Sequence, residues 1–288
     1  MTCKSEIRNP KSERRKRVSY LAMTLVLGLA TSCVPTTPSA AKPTTGEAPK
    51  PARPAEGGGA KWGNIKGRIV WAGDELPKPV VLDTSKEPGC TAGGPVHSEE
   101  WVVNAKNKGV RYVCIWLRPV EDGVKLPIHP DLEKVKVEKV EYDQPCCKFE
   151  PHALALRKGQ VLVAKNSSKF AHNFDWVGLR PQQGNNTLIP AGAKVEIEMK
   201  PSEFPINVKC GIHPWMRGWI RVFDHPYFAV TDEDGKFEIK NAPAGKFRIV
   251  IWHETGWRNQ ATKKLGDPIE IKPGDNDLGS LEIKPRKE

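Results

Sequence analysis

Cys210, His213 and Met216 place a thiol, an imidazole and a thioether at intervals of three residues, in the run Cys210-Gly211-Ile212-His213-Pro214-Trp215-Met216. Soft sulfur combined with imidazole suits a metal that cycles between Cu(I) and Cu(II), and a trigonal His₂Cys set with a weak axial Met marks one-electron transfer. Protein groups then fill every ligand position. None is left open for oxygen or a small substrate, which argues against an oxidase or a hydrolytic metal enzyme. The second imidazole must come from elsewhere. His172 is the best candidate, in Asn166-Ser167-Ser168-Lys169-Phe170-Ala171-His172-Asn173, directly after the apolar run Val161–Lys165.

Short strands must position these groups. Phe204, Ile206, Val208 and Cys210 alternate with other residues and share one face, which predicts a strand that points the sulfur inward. Gly211 breaks that strand, and Gly218 opens the next, Trp219-Ile220-Arg221-Val222-Phe223. Met199 alternates with charges in Val195-Glu196-Ile197-Glu198-Met199-Lys200, so it reads as a core residue rather than an axial ligand. No long helical heptads occur, and the chain as a whole reads as all-β.

The order strand, Asn, short turn, His-Asn, then Cys-x-x-His-Pro-x-Met and Gly resembles the small blue copper proteins, the cupredoxins of the amicyanin and plastocyanin type. The short ligand loop with Pro214 looks most like amicyanin. The resemblance covers residues 135–224. It implies a Greek-key β-sandwich holding one type 1 copper on His172, Cys210, His213 and Met216. It also implies that Asn173 steadies the loop through hydrogen bonds, one of them to the cysteine sulfur. Electrons would pass through an exposed His213, with Pro214 and Trp215 extending an apolar patch for a redox partner such as a cytochrome or dehydrogenase.

Of the seven cysteines, Cys3 and Cys33 lie in the targeting region. With Cys210 on the metal, Cys90, Cys114, Cys146 and Cys147 remain. A bridge between adjacent Cys146 and Cys147 would be strained, which favours a long-range bridge from Cys90 to one of them. Cys114 lies in a strand-like run and reads as a buried thiol. Cys146, Cys147 and His152 invite a second metal, but a disulfide beside a hydrogen-bonded His152 is the simpler reading. His253 ends an alternating run and reads as a core or interface residue, whereas His97, His129 and His225 sit in loops.

Residues 1–33 read as an address label. Basic residues precede the apolar run from Val18 to Ala30, the order of a secretory signal and too short for a comfortable membrane span. Leu29-Ala30-Thr31-Ser32-Cys33 resembles a bacterial lipoprotein cleavage box, which implies lipidation of Cys33; ordinary signal-peptidase cleavage nearby is the competing reading. Residues 34–60 are a Pro, Ala, Thr and Gly tether that cannot bury enough apolar surface to fold. Much of the formal charge of +11 belongs to the address label. The modest positive remainder could steer an acidic partner. With no aromatic-interleaved basic motif, nucleic acid is not expected.

The tail carries Thr231-Asp232-Glu233-Asp234-Gly235-Lys236-Phe237 and Ala242-Pro243-Ala244-Gly245-Lys246-Phe247, alternating strands joined by tight turns. This run resembles the carboxypeptidase regulatory-like (transthyretin-like) β-sandwich, whose opening strands resemble residues 67–73 and 113–117. The resemblance implies one small sandwich made of residues 61–134 and 225–288, split by insertion of the cupredoxin. Asp232 and Asp234 lack the EF-hand spacing and read as turn formers. No carboxylate pair, nucleophile–base arrangement or phosphate loop suggests an enzyme. The expectation is an exported, periplasmic or cell-surface copper protein that carries electrons, touching the membrane only by a lipid anchor. Copper binding or delivery without redox cycling, and an exported binding module, are the alternatives.

Overall fold

The computed structural model describes residues 61–91, 94–178 and 183–285. The address label, Cys33 and the tether therefore lie outside the described residues. Within them the chain is all-β, and no helix is long and apolar enough to cross a membrane. Sixteen strands follow in order. The leading segment gives β1 (Trp62–Trp71) and β2 (Cys114–Arg118). The central segment gives β3 (Lys139–Asp143), β4 (Ala153–Arg157), β5 (Val161–Lys165), β6 (His172–Trp176), β7 (Asn185–Ile189), β8 (Lys194–Glu198), β9 (Ile206–Lys209) and β10 (Arg217–Phe223). The tail adds β11 (Phe228–Val230), β12 (Lys236–Pro243), β13 (Gly245–His253), β14 (Gly256–Trp257), β15 (Asp267–Ile271) and β16 (Gly274–Ile283).

The central segment forms two sheets of its own, β4-β10-β9-β6-β7 and β3-β5-β8. Their inner faces meet in a core that includes Tyr142, Phe149, Leu162, Phe174, Ile206, Val208 and Ile220, and that core also takes in Cys210 and Met216. The alternation of β9 explains this: Ile206 and Val208 are buried and Lys209 is exposed, so Cys210 follows on the inward side. Met199 is buried in the same core. Gly218, the second residue of β10, packs so close to the Tyr142 hydroxyl that a Cβ there would stand 2.0 Å from it.

The strands on either side of the central segment are joined in shared sheets. β1 runs antiparallel to β12, with Ile65 opposite Ile239, and parallel to β16, with Ile69 opposite Leu281. β2 lies between β11 and β13, with Trp116 opposite both Phe228 and Val250. Leading and tail residues thus share one core, which includes Ile69, Ile115, Leu117, Phe237 and Ile251. A strand covered on both faces reads as a continuous apolar run. β2 has this character: Ile115 and Leu117 enter that core, while Cys114 and Trp116 join Phe223, Val250 and Trp252 in a second cluster that reaches β10.

Asp232 accepts hydrogen bonds from the amides of Asp234 (2.9 Å) and Lys236 (2.8 Å), so it closes the turn. Gly235 completes that turn at φ +75, where a Cβ would press to 2.2 Å from the Ile69 carbonyl oxygen. Asp234 in turn accepts from the side-chain amides of Asn104 (3.0 Å) and Asn107 (2.7 Å), tying the tail to the leading segment.

Candidate metal centre

His172 opens β6 and is fully buried. His213 sits in the loop between β9 and β10 and is also fully buried. Two backbone bonds make the loop tight: the Cys210 amide donates to the Met216 carbonyl (3.2 Å), and the Met216 amide donates to the His213 carbonyl (2.9 Å). The two imidazoles face each other with Nδ1 atoms 2.9 Å apart, and the Cys210 sulfur lies 3.6 Å from His213 Nδ1. His172, Cys210 and His213 offer donor atoms that all lie within 4.8 Å of one another, a spacing that could hold one metal ion. Met216 is buried on the same loop and packs in the same core. Two imidazole nitrogens beside a thiol, with a thioether close by in sequence, form a donor set that suits copper.

Burial, together with the neighbouring His213, pulls the His172 pKa down to about 4. Burial also lowers that of His213. Both rings are thereby held neutral, as metal ligands must be. The far nitrogen of His172, Nε2, lies 2.8 Å from the Ser168 hydroxyl. Ser168 is itself fixed by Asn166, whose side-chain oxygen accepts from the Ser168 amide (3.0 Å) and hydroxyl (2.7 Å). Asn166 is buried and donates to the carbonyls of Phe170 (2.7 Å) and Ile189 (2.8 Å). Asn173 meets the sulfur through its backbone: its amide donates to Cys210 Sγ at 3.2 Å, while its side chain donates to Asn186. Gln144, fully buried, donates to the Asn173 carbonyl at 3.0 Å and fixes the backbone on the other side of the same residue.

The exposed histidine port is not found. A segment from the leading part of the chain reaches the loop and ends in a short 3-10 turn, Pro88–Thr91. Its Cys90 forms a disulfide with Cys147, and both sulfurs lie within 4.8 Å of a ring nitrogen of His213. The histidine is covered because long-range covalent linkage and packing hold this segment against it. Trp215 packs partly buried against the core, with its ring 5.3 Å from that of His213. Exposed apolar side chains around the loop are instead Phe170 and Ile212, with Pro214 also exposed.

The remaining candidates are placed as follows. Of the two partners open to Cys90, Cys147 takes the bridge, and Cys146 stays exposed outside it. Cys114 is buried, and desolvation pushes its thiol up to about 12. His152 lies 2.6 Å from the Glu254 carboxylate, and no metal-ligating group of this spacing among the described residues includes it. His253 is buried and stacks on Trp101 with ring centroids 3.9 Å apart. The sequence pattern includes Asn166 and the bridge from Cys90, but the hydroxyl of Ser168 against His172 and the cover of the Cys90 segment over His213 carry no signal in the sequence.

No protein-family model matches the chain, and no curated protein does. Similar chains among solved structures include a copper-containing nitrite reductase, a purple cupredoxin and amicyanin variants. The reductase, from Thermus scotoductus SA-01, is 22% identical over 35% of this chain and 28% of that one, at a TM-score of 0.28. The likeness thus spans little more than a quarter of the reductase. A purple cupredoxin from Nitrosopumilus maritimus is 18% identical over 29% of this chain and 98% of its own (TM-score 0.25). An oxidised amicyanin variant is 19% identical over 32% and 87% respectively (TM-score 0.28).

Proposed function

We propose that the protein is an exported electron carrier that holds one copper ion on His172, Cys210, His213 and Met216. The observation that carries this reading is the convergence of two Nδ1 atoms and one thiol, all buried, within 4.8 Å. Bound copper would supply one-electron cycling between Cu(I) and Cu(II). The chain's own residues hold the imidazoles neutral, donate an amide to the sulfur and keep bulk water from the ligands. A ligand set completed by protein leaves no open position for a substrate, which supports a carrier rather than an enzyme. A redox protein, such as a cytochrome or dehydrogenase, is the proposed partner, docking on the apolar surface of Phe170, Ile212 and Pro214. Secretion through the leading segment and lipidation of Cys33 would place the carrier at a membrane surface. The pairing of β1 with β12 and β16 supports reading residues 61–134 and 225–288 as one transthyretin-like sandwich with the cupredoxin inserted.

Copper reconstitution followed by visible and EPR spectroscopy tests the metal centre. The wild-type chain should show an intense thiolate-to-copper band that disappears in Cys210→Ser, and a colourless copper complex would reject the reading. Burial of His213 favours a second reading, copper holding or delivery without redox cycling. Electron exchange between the reconstituted protein and a c-type cytochrome separates the two, since delivery requires none.

A further inference from the structure

On the side of β10 that faces β2, the structure has a cavity of ≈710 Å³ bordered by both the central and the outer strands. Two of its lining side chains are polar, more than nine-tenths buried and unpartnered. Arg221 has Nε and Nη1 without a hydrogen-bond partner, and Ser202 has an unpartnered hydroxyl. Their segments are joined at the backbone, where the Ser202 amide donates to the carbonyl of Val222, the residue after Arg221, at 3.0 Å. The guanidinium carbon lies 3.8 Å from the Trp116 ring centroid and 4.5 Å from that of Phe223, two rings whose own centroids are 5.7 Å apart, so aromatic surface flanks the cation on adjacent sides.

A buried donor left unpaired loses its hydration with nothing in return, at greater cost when the group is charged. Desolvation lowers the Arg221 pKa to about 10, which keeps the side chain cationic at neutral pH. The nearby Cys114 thiol, pushed up to about 12, is neutral there and supplies no counter-charge. Glu203 and Asp224 act on Arg221 only through space, without an ion pair to it. Of the other cations on the cavity wall, Arg118 is paired with Asp122 and Lys264 with Glu203, while Lys125 and Lys158 are exposed to solvent. One buried positive charge is left uncompensated, on a wall that also carries a free hydroxyl. The rest of the lining includes Leu126, Ile128 and Val124, which offer apolar surface.

We propose that this cavity binds a small organic carboxylate, its carboxyl group on Arg221 and Ser202 and its apolar body against Trp116, Leu126 and Ile128. A monoanion matches the single buried unpaired charge, and charge-assisted hydrogen bonds from guanidinium to carboxylate are among the strong ones. An apolar body would displace water from the part of the wall made by Trp116, Leu126 and Ile128. The site is separate from the proposed metal centre, and metal loading has no part in it.

Isothermal titration of the full chain with benzoate, with inorganic phosphate as a parallel probe, tests the assignment. Benzoate should bind one per chain, about tenfold or more weaker in Arg221→Met and several-fold weaker in Ser202→Ala. Lys240→Ala, on an exposed strand position away from the cavity, should bind as wild type does. Ser202→Ala removes only a hydroxyl, so it remains informative if Arg221→Met fails to fold. Equal benzoate affinity in wild type and Ser202→Ala, no benzoate binding to the wild type, or binding of phosphate in preference to benzoate would each overturn the proposal.

Discussion

Ser168 decides which nitrogen of His172 is offered to a metal. A Nε2–H donating to the Ser168 hydroxyl at 2.8 Å leaves Nδ1, the atom facing His213, with its lone pair free. Groups that orient a ligand histidine in this way typically contribute about 10–100-fold to metal affinity. Ser168→Ala should therefore bind copper about 10–100-fold more weakly, measured by competition with a chelator, while the fold persists. Asn173 shows how far residue type alone reaches. The family likeness implies a hydrogen bond from Asn173 to the sulfur, and the donor is its backbone amide, which any residue other than proline could supply at that position. Its side chain instead joins β6 to β7 through Asn186. Hydrogen bonds of short irregular loops follow no period, so the Asn166–Ser168–His172 chain left little trace in the sequence.

Among the elements, the strand β9 and its loop were the most legible. Alternation over Ile206, Asn207 and Val208 fixes which side Cys210 faces, and residue spacing fixes the loop. The segment that covers His213 is of another kind. It belongs to the leading part of the chain, and Cys90 stands 57 residues before Cys147. Adjacent cysteines at 146 and 147 made either partner equally plausible from sequence; only the turn that turns Cys147 inward and leaves Cys146 exposed separates them. Replacing both bridge residues, Cys90→Ser with Cys147→Ser, should cost about 2–4 kcal/mol of stability. It should also raise the rate at which diethyl pyrocarbonate modifies His213 in the metal-free protein, read by peptide mass spectrometry. A modification rate unchanged from wild type would mean that packing alone covers the ring.

Across the molecule, buried side chains link the central strands to the outer ones. Glu254 accepts from the Trp219 indole at 2.9 Å and lies 2.6 Å from His152. Burial raises its pKa, but hydrogen bonds from His152 and Trp219, with electrostatic attraction from His152 and His253, outweigh that and hold it below its usual value. Its neighbour His253 is pulled down to about 4, chiefly by burial. Between pH 6.5 and 4 the unfolded chain therefore carries a proton on His253 that the folded chain refuses. The unfolded state binds more protons there, so stability must fall as pH falls through that window. The expected loss from this residue is about 3 kcal/mol. Urea denaturation of the metal-free protein at a series of pH values should show it, and the slope should shrink in His253→Phe.

The sequence by itself determined what depends on neighbours along the chain. It set the all-β character, the inward aim of Cys210, and the close succession of thiol, imidazole and thioether, because strand alternation and loop spacing are local. It also placed His172 after a strand and His253 at the end of an apolar run. Tertiary structure alone decided what depends on distant segments meeting. It brought the His172 and His213 nitrogens to 2.9 Å, chose Cys147 over Cys146, and buried His213 under a leading segment. It also set an unpaired Arg221 and Ser202 against one cavity. Packing and covalent closure act across the fold regardless of sequence distance, so no spacing in the chain records which surfaces they will cover.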